Sequence, residues 1–168
     1  MKAIVVYESV FGNTEQVARA IGKAYAHEEG SGTYHTDQIR PDQLKGADIL
    51  ILGSPTQKFQ AMPGAKKFIR KIPSGGLKGI KIATFDTRVS TEDIKSGFLR
   101  FLLNLFGYAA KPLANRLKRK GGELISPPEG FYVKDTKGPL KDGELERAEE
   151  WGNQLKSLAK EKKQQANV

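Results

Sequence analysis

The stretch AIVVYESVFGNTEQVARAI, residues 3–21, carries three signals in a row. Ala3 to Tyr7 is an apolar, β-branched run with nothing polar inside it, the pattern of a strand buried on both faces in a parallel sheet. From Thr14 to Ala26 the residues Val17, Ala18, Ile21 and Ala24 recur at helical spacing. Between them, Ser9-Val10-Phe11-Gly12-Asn13-Thr14 combines two hydroxyls, an amide and a glycine with no charged residue. Backbone N–H groups at a helix start, with the helix dipole behind them, attract an anion. Gly12 allows close approach to a ligand, and Ser9, Asn13 and Thr14 add neutral donors. The loop is thus expected to hold a phosphate; Asn13 or Thr14 capping the helix is the plainer reading, and the two are compatible. It is not a Walker loop, because no lysine follows the glycine at the required place, and it lacks the spaced glycines of a dinucleotide fingerprint.

The same alternation continues along the chain. Asp48 to Gly53 is a second buried strand, followed by a loop at Ser54 to Ala61 and a helix from Pro63 to Ile72 that Pro73-Ser74-Gly75-Gly76 closes. Lys81 to Phe85 is a further strand, with a loop at Asp86 to Glu92. Residues 94–120 read as helical with a break near Gly107 and Pro112. Glu123 to Ser126 is the fifth strand once the edge strand at Thr33 to Asp37 is counted, resumed at Phe131 to Val133 after Pro127-Pro128. Thr33 to Asp37 is a short edge strand and Asp42 to Lys45 a single helical turn. Gly143 to about Lys163 is an amphipathic helix with Trp151 on its apolar stripe. The expectation is one α/β domain over residues 1–160, a doubly wound five-stranded parallel sheet in three layers, with a frayed tail at 161–168. Ligands of such sheets sit beyond the carboxyl ends of the strands, where strand order reverses. The loops at 8–14, 54–60 and 86–92 should therefore converge.

With 168 residues the chain fits one domain. It has no cysteine, which excludes disulfides, iron–sulfur clusters and thiolate nucleophiles. No apolar run reaches the length of a membrane span, and the apolar start before Glu8 is too short for a signal peptide, so a soluble cytoplasmic protein is expected. His27 and His35 read as surface residues with no third ligand spaced to complete a metal site. The net charge is +9, and no acidic residue falls between Asp48 and Asp86. That interval holds Lys58, Lys66, Lys67, Arg70, Lys71, Lys78 and Lys81; a second basic cluster is Lys111, Arg116, Lys118, Arg119 and Lys120. These are either solvated helix faces or a surface for an acidic partner, an anionic substrate or lipid headgroups. No aromatic-interleaved basic stretch points to specific nucleic-acid binding.

Residues 9–14 resemble the phosphate loop of the flavodoxin family, written Thr/Ser-x-Thr-Gly-Asn-Thr: Ser9, Gly12, Asn13 and Thr14 match, and Phe11 replaces a hydroxyl. Gly53-Ser54-Pro55-Thr56 resembles that family's loop after the third strand. The tail Glu129-Gly130-Phe131-Tyr132-Val133, Gly138-Pro139-Leu140 and Gly143 to Ala148 is similar to a widespread subgroup of flavodoxin-domain proteins. The resemblance implies strand order 2-1-3-4-5 and bound FMN. The phosphate would lie on Ser9, Val10, Phe11, Gly12, Asn13 and Thr14, and the ring between Pro55, Thr56, Gln57 and Lys58 on one side and Asp86, Thr87 and Arg88 on the other. Lys58 would supply a cation near the flavin N1 end. Thr87 would give a hydroxyl or N–H to the ring, and Arg88 would meet an anionic substrate or the flavin carbonyls. Asp86 would cap its loop or act as a base. The family's stacking aromatic is missing before Phe98. The implied role is an electron carrier between redox partner proteins. The alternatives are an FMN-dependent oxidoreductase on a quinone or anionic ring substrate, as in the similar and basic menaquinone-dependent protoporphyrinogen dehydrogenases, or a flavin-free interaction module. Peripheral membrane contact is compatible with each.

Overall fold

The computed structural model describes residues 1–57, 60–90, 96–97 and 108–165. Its strands are β1 (Ala3–Tyr7), β2 (Gly32–His35), β3 (Ile49–Gln57), β4 (Gln60–Ala61), β5 (Lys81–Val89), β6 (Glu123–Leu124) and β7 (Glu129–Val133). The helices are α1 (Asn13–Lys23), α2 (Pro63–Lys71), α3 (Ala110–Arg119) and α4 (Glu144–Gln165), with a 3-10 turn at Pro41–Leu44. The sheet order is β2-β1-β3-β5-β6, all parallel, with β7 pairing the same strand β5 farther along. The fifth position is shared: Lys81 and Ile82 pair with β6, and Phe85 to Val89 pair with β7. This is the doubly wound α/β arrangement that the alternating pattern predicts.

Alternation along each central strand sorts the core into two layers. Val5, Tyr7, Ile49, Ile51, Ala83 and Phe85 face α1 and α4, where Val17, Ile21, Trp151 and Leu155 meet them. Ile4, Val6, Leu50, Leu52 and Ile82 face α2 and α3, against Phe68, Ile69, Leu113 and Leu117. Phe85, Phe131 and Trp151 pack edge to face at 6.0–6.3 Å between ring centroids, each such pair adding about 0.5–1.5 kcal/mol beyond its buried area. Trp151 is core, as its position on the α4 stripe predicts.

Two strands run farther than the sequence suggests. β3 continues through Ser54, Pro55, Thr56 and Gln57, and β5 through Asp86, Thr87, Arg88 and Val89, where loops are expected. The reason is pairing at long range. Ser54 opposes Asp86 and Pro55 opposes Thr87, while β7 carries the other edge of β5 out to Val89. Gly53 is required in this register, since a Cβ there would overlap the ring of the opposing Phe85. α4 is helical to Gln165, and its Lys162 pairs with Glu123 at 2.6 Å.

Candidate functional site

The described parts of the three segments expected to converge do so at the carboxyl ends of β1, β3 and β5. β1 delivers the chain to Glu8, whose N–H donates to the Gly53 carbonyl at 3.1 Å. The Glu8 carboxylate turns away from the following loop and accepts from the Ala65 N–H at the start of α2. α2 begins at Pro63 with Met62 as its N-cap and has no capping side chain of its own. Glu8 fills that role across 57 residues, and its charge is neutralised on a helix N-terminus rather than left in the loop.

At Gly12 the backbone turns into the left-handed region, φ +83°, and open space surrounds the position where a Cβ would stand. The Gly12 N–H donates to Ser9 Oγ at 3.1 Å, which closes the turn and leaves the serine O–H to donate elsewhere. α1 then starts without any capping side chain. The plainer reading of Asn13 and Thr14 as caps is thus not what the structure holds. Asn13 Nδ2 instead donates to the Lys137 carbonyl at 3.0 Å, tying the loop to the 134–140 segment. Gly138 lies so close to this amide that a Cβ on it would collide with Asn13. Thr14 Oγ1 and Thr87 Oγ1 are 2.8 Å apart and buried. One hydroxyl donates to the other, so the accepting hydroxyl retains its own proton for a third group. Val10 and Phe11 are both 47% exposed, an apolar pair standing at the loop tip.

The second and third segments are joined through Asp86. Its carboxylate is wholly buried and receives the Arg88 guanidinium through Nε and through Nη2, the latter at 2.6 Å. It also accepts the Ala110 N–H at 2.8 Å and the Thr56 hydroxyl. Burial pushes the Asp86 carboxyl up from the usual carboxylate range, and the bonds from Arg88, Ala110 and Thr56 oppose that rise without cancelling it. Asp86 thereby caps α3 as well as bridging β3 to β5. The Thr56 hydroxyl meanwhile accepts the Ala109 N–H at 2.9 Å. Strand alternation explains the division of labour: Asp86 and Arg88 point to the α3 side, whereas Thr87 points to α1 and Thr14.

Arg88 is held on every side. Besides Asp86, its guanidinium lies 3.7 Å from the centre of the Tyr108 ring, and it packs against Gly130. The sequence offers no aromatic near the third segment before Phe98, but the fold supplies Tyr108, just ahead of α3. Ser54 accepts the Met62 N–H at 2.9 Å and closes the excursion at the end of β3. Pro55 and Gln57 continue β3, with Gln57 opposite Gln60. Lys58, Phe59, Glu92 and Phe98 lie outside the described residues.

The result is a set of neutral donors gathered at the point where the order β2-β1-β3 reverses. The carboxylates next to it, Glu8 and Asp86, are consumed by internal bonds, and Glu15 on the first turn of α1 is paired with Arg19 at 2.7 Å. That donor chemistry fits a phosphate group: N–H and O–H donors, a left-handed glycine turn and, among the described residues beside it, carboxylates that are each bonded within the protein.

Comparison with known proteins agrees with this architecture. No protein-family model matches the chain. An uncharacterized protein of Methanocaldococcus jannaschii is 29% identical over 126 residues, covering 74% of this chain and 71% of that protein. Among solved structures, a flavodoxin from the domain Archaea superimposes with a TM-score of 0.69 at 24% identity, over 95% of this chain and 99% of its own. Oxidised flavodoxin 2 from Bacillus cereus gives 0.71 at 22% identity, over 96% and 99%. The fold of this chain is the flavodoxin-like fold.

Proposed function

We propose that the chain binds FMN at these strand ends and carries electrons between redox partners. The observation that carries the reading is the uncapped start of α1 behind the left-handed Gly12 turn, held at the strand-order reversal by Thr14–Thr87 on one side and Asn13–Lys137 on the other. The phosphate would take the N–H groups of the loop 9–14 and the Ser9 hydroxyl. Pro55, Thr56 and Gln57, with Asp86, Thr87 and Arg88 opposite, would flank the ring. FMN, when bound, supplies reversible one- and two-electron chemistry. The protein's contribution is to hold it at fixed geometry: Asp86 locks the second segment to the third, and the Asn13 tether fixes the loop from the far end of the chain.

A carrier is favoured over an oxidoreductase because the described ionisable groups around the loops, Glu8, Asp86 and Arg88, are all engaged within the protein. None is left to act as an acid or base on a substrate. The test is the visible spectrum of the purified protein with and without added FMN, combined with quenching of flavin fluorescence and gel filtration. A flavin band that co-migrates with the protein supports the reading. No band and no quenching at high micromolar FMN would overturn it. Saturable, selective turnover of quinones would keep the flavin and replace the carrier with an enzyme.

A further inference from the structure

α2 and α3 lie side by side on one face of the sheet, and their buried residues are all apolar: Ala65, Phe68 and Ile69 on α2, Ala110, Leu113, Ala114 and Leu117 on α3. Their outward positions are Lys66, Lys67, Arg70 and Lys71 on α2, and Lys111, Arg116, Lys118 and Arg119 on α3. Lys78, exposed, adds a cation in the turn that follows α2. Neither helix contains an acidic residue. Lys66 bonds to Gln60; none of these cations pairs with a carboxylate among the described residues. At the far end Lys120 Nζ donates to the Ile72 carbonyl and the Leu77 N–H donates to the Lys120 carbonyl, so the two helix ends are fixed to each other. The carboxylate bordering this end, Glu123, is paired with Lys162.

We infer that this face docks on an anionic lipid surface. A cationic face of this kind attracts any polyanion, and what it lacks decides among them. The exposed large apolar residues of the described chain are Val10, Phe11, Tyr132 and Leu145, and all four lie elsewhere. Among the described residues the face therefore has no aromatic or aliphatic anchor of the kind that dominates protein–protein interfaces. Nor do these residues offer a ring on which a base could stack. A layer of laterally mobile headgroups asks only for charge, and flexible lysines and arginines spread over two helices supply it. The orientation is also consistent. Both helices begin beside the strand-end loops, α2 at Glu8 and α3 at Asp86, and run away from them. α3 alone carries its cations, from Lys111 to Arg119, over about 12 Å. A surface held by this face leaves the loops at 8–14 on a separate edge. The inference does not depend on a bound flavin.

The test is co-sedimentation of the full chain with vesicles of phosphatidylglycerol and phosphatidylcholine in equal parts, against vesicles of phosphatidylcholine alone, at low and high salt. Binding is expected with the anionic vesicles alone and should weaken steeply with salt. K67E/R70E/R119E should lower the affinity by about 100-fold or more, taking roughly fivefold per cation removed from the surface. K23E/K134E/K160E makes the same change in net charge on the α1–α4 side of the sheet, away from this face, and should bind nearly as wild type. Absence of binding at low salt, or equal losses in the two triple variants, overturns the inference. So does tight binding of a short RNA duplex that K67E/R70E/R119E abolishes while vesicles are ignored, which would assign the face to nucleic acid instead. Circular dichroism of each variant separates lost binding from lost fold.

Discussion

Substituting Arg88 by methionine probes the joint between the second and third segments. In the wild type the Asp86 carboxylate is fully buried, and Arg88, with a side chain 15% exposed, is its one cationic partner among the described residues. Methionine keeps the bulk against Tyr108 but leaves the carboxylate with two neutral donors, the Ala110 N–H and the Thr56 hydroxyl. Breaking one half of a buried ion pair costs about 3–5 kcal/mol. The two remaining donors place this case near the lower end, about 3 kcal/mol at neutral pH. D86N/R88M should recover most of that, because neither charge remains and the asparagine oxygen can still accept from Ala110. A residual loss of about 1 kcal/mol is expected. The pH dependence has a definite sign. A carboxyl whose folded pKa lies above its unfolded value contributes stability that is fully present below the ordinary range, near 3.8, and lost as pH rises through the folded value. Removing Arg88 raises that folded value further. The deficit of R88M should therefore grow as pH rises from the folded value of Asp86 in the wild type toward the higher one in the variant, by up to about 1.4 kcal/mol per pH unit, while the stability of D86N/R88M carries no contribution from this titration. Urea unfolding of the flavin-free protein, followed by circular dichroism at several pH values, measures all of this. An R88M protein within about 1 kcal/mol of wild type at pH 7, or a deficit independent of pH, would refute the reasoning.

Gly12→Ala should weaken FMN binding by about tenfold, because an alanine in the left-handed region costs roughly 1–2 kcal/mol. Gly46→Ala, also at positive φ and also in open space, should cost similar stability but leave flavin affinity unchanged in fluorescence titration. Gly53→Ala should destabilise by about 3 kcal/mol, since Phe85 is wedged between Phe131 and Trp151 and cannot yield; G53A/F85L should recover part of this in thermal unfolding. Bonds from Lys156 and the Met1 amino group hold the Glu28 carboxyl down at about 2. Its stabilising effect is present above the ordinary pKa of 4.5 and disappears as pH falls toward 2, so Glu28→Gln should flatten the acid limb of the stability profile in that window.

The central strands and the α1 and α2 helices were legible in the sequence because each buries a face with its own period. Ile4-Val5-Val6 and Ile49-Leu50-Ile51 are apolar on both sides, and Val17, Ala18 and Ile21 recur every three or four residues. Ser9, Gly12, Asn13 and Thr14 could be identified as a loop of neutral donors from residue type alone. What stayed hidden depends on partners distant along the chain. Asp86, Thr87 and Arg88 look like loop residues until β7 pairs with them. Asn13 is a plausible cap until Lys137 claims its amide. Glu8 leaves one signal, a helix at Pro63 that begins without an Asp, Ser or Thr to cap it. Tyr108 could not be assigned to Arg88 by spacing, because 20 residues separate them.

The bond from Asn13 to the carbonyl of Lys137 spans 124 residues, and it bears on the order in which the chain is made. During synthesis α1 and its loop leave the ribosome early, long before the segment that anchors them exists. The β7 strand that extends β5 emerges just ahead of that segment, and the α4 helix that covers α1 after it. A nascent chain therefore cannot assemble this loop in its final form until the segment around Lys137 has been translated. Capture of a ligand there would mark chains that have grown past this point and pass over shorter ones.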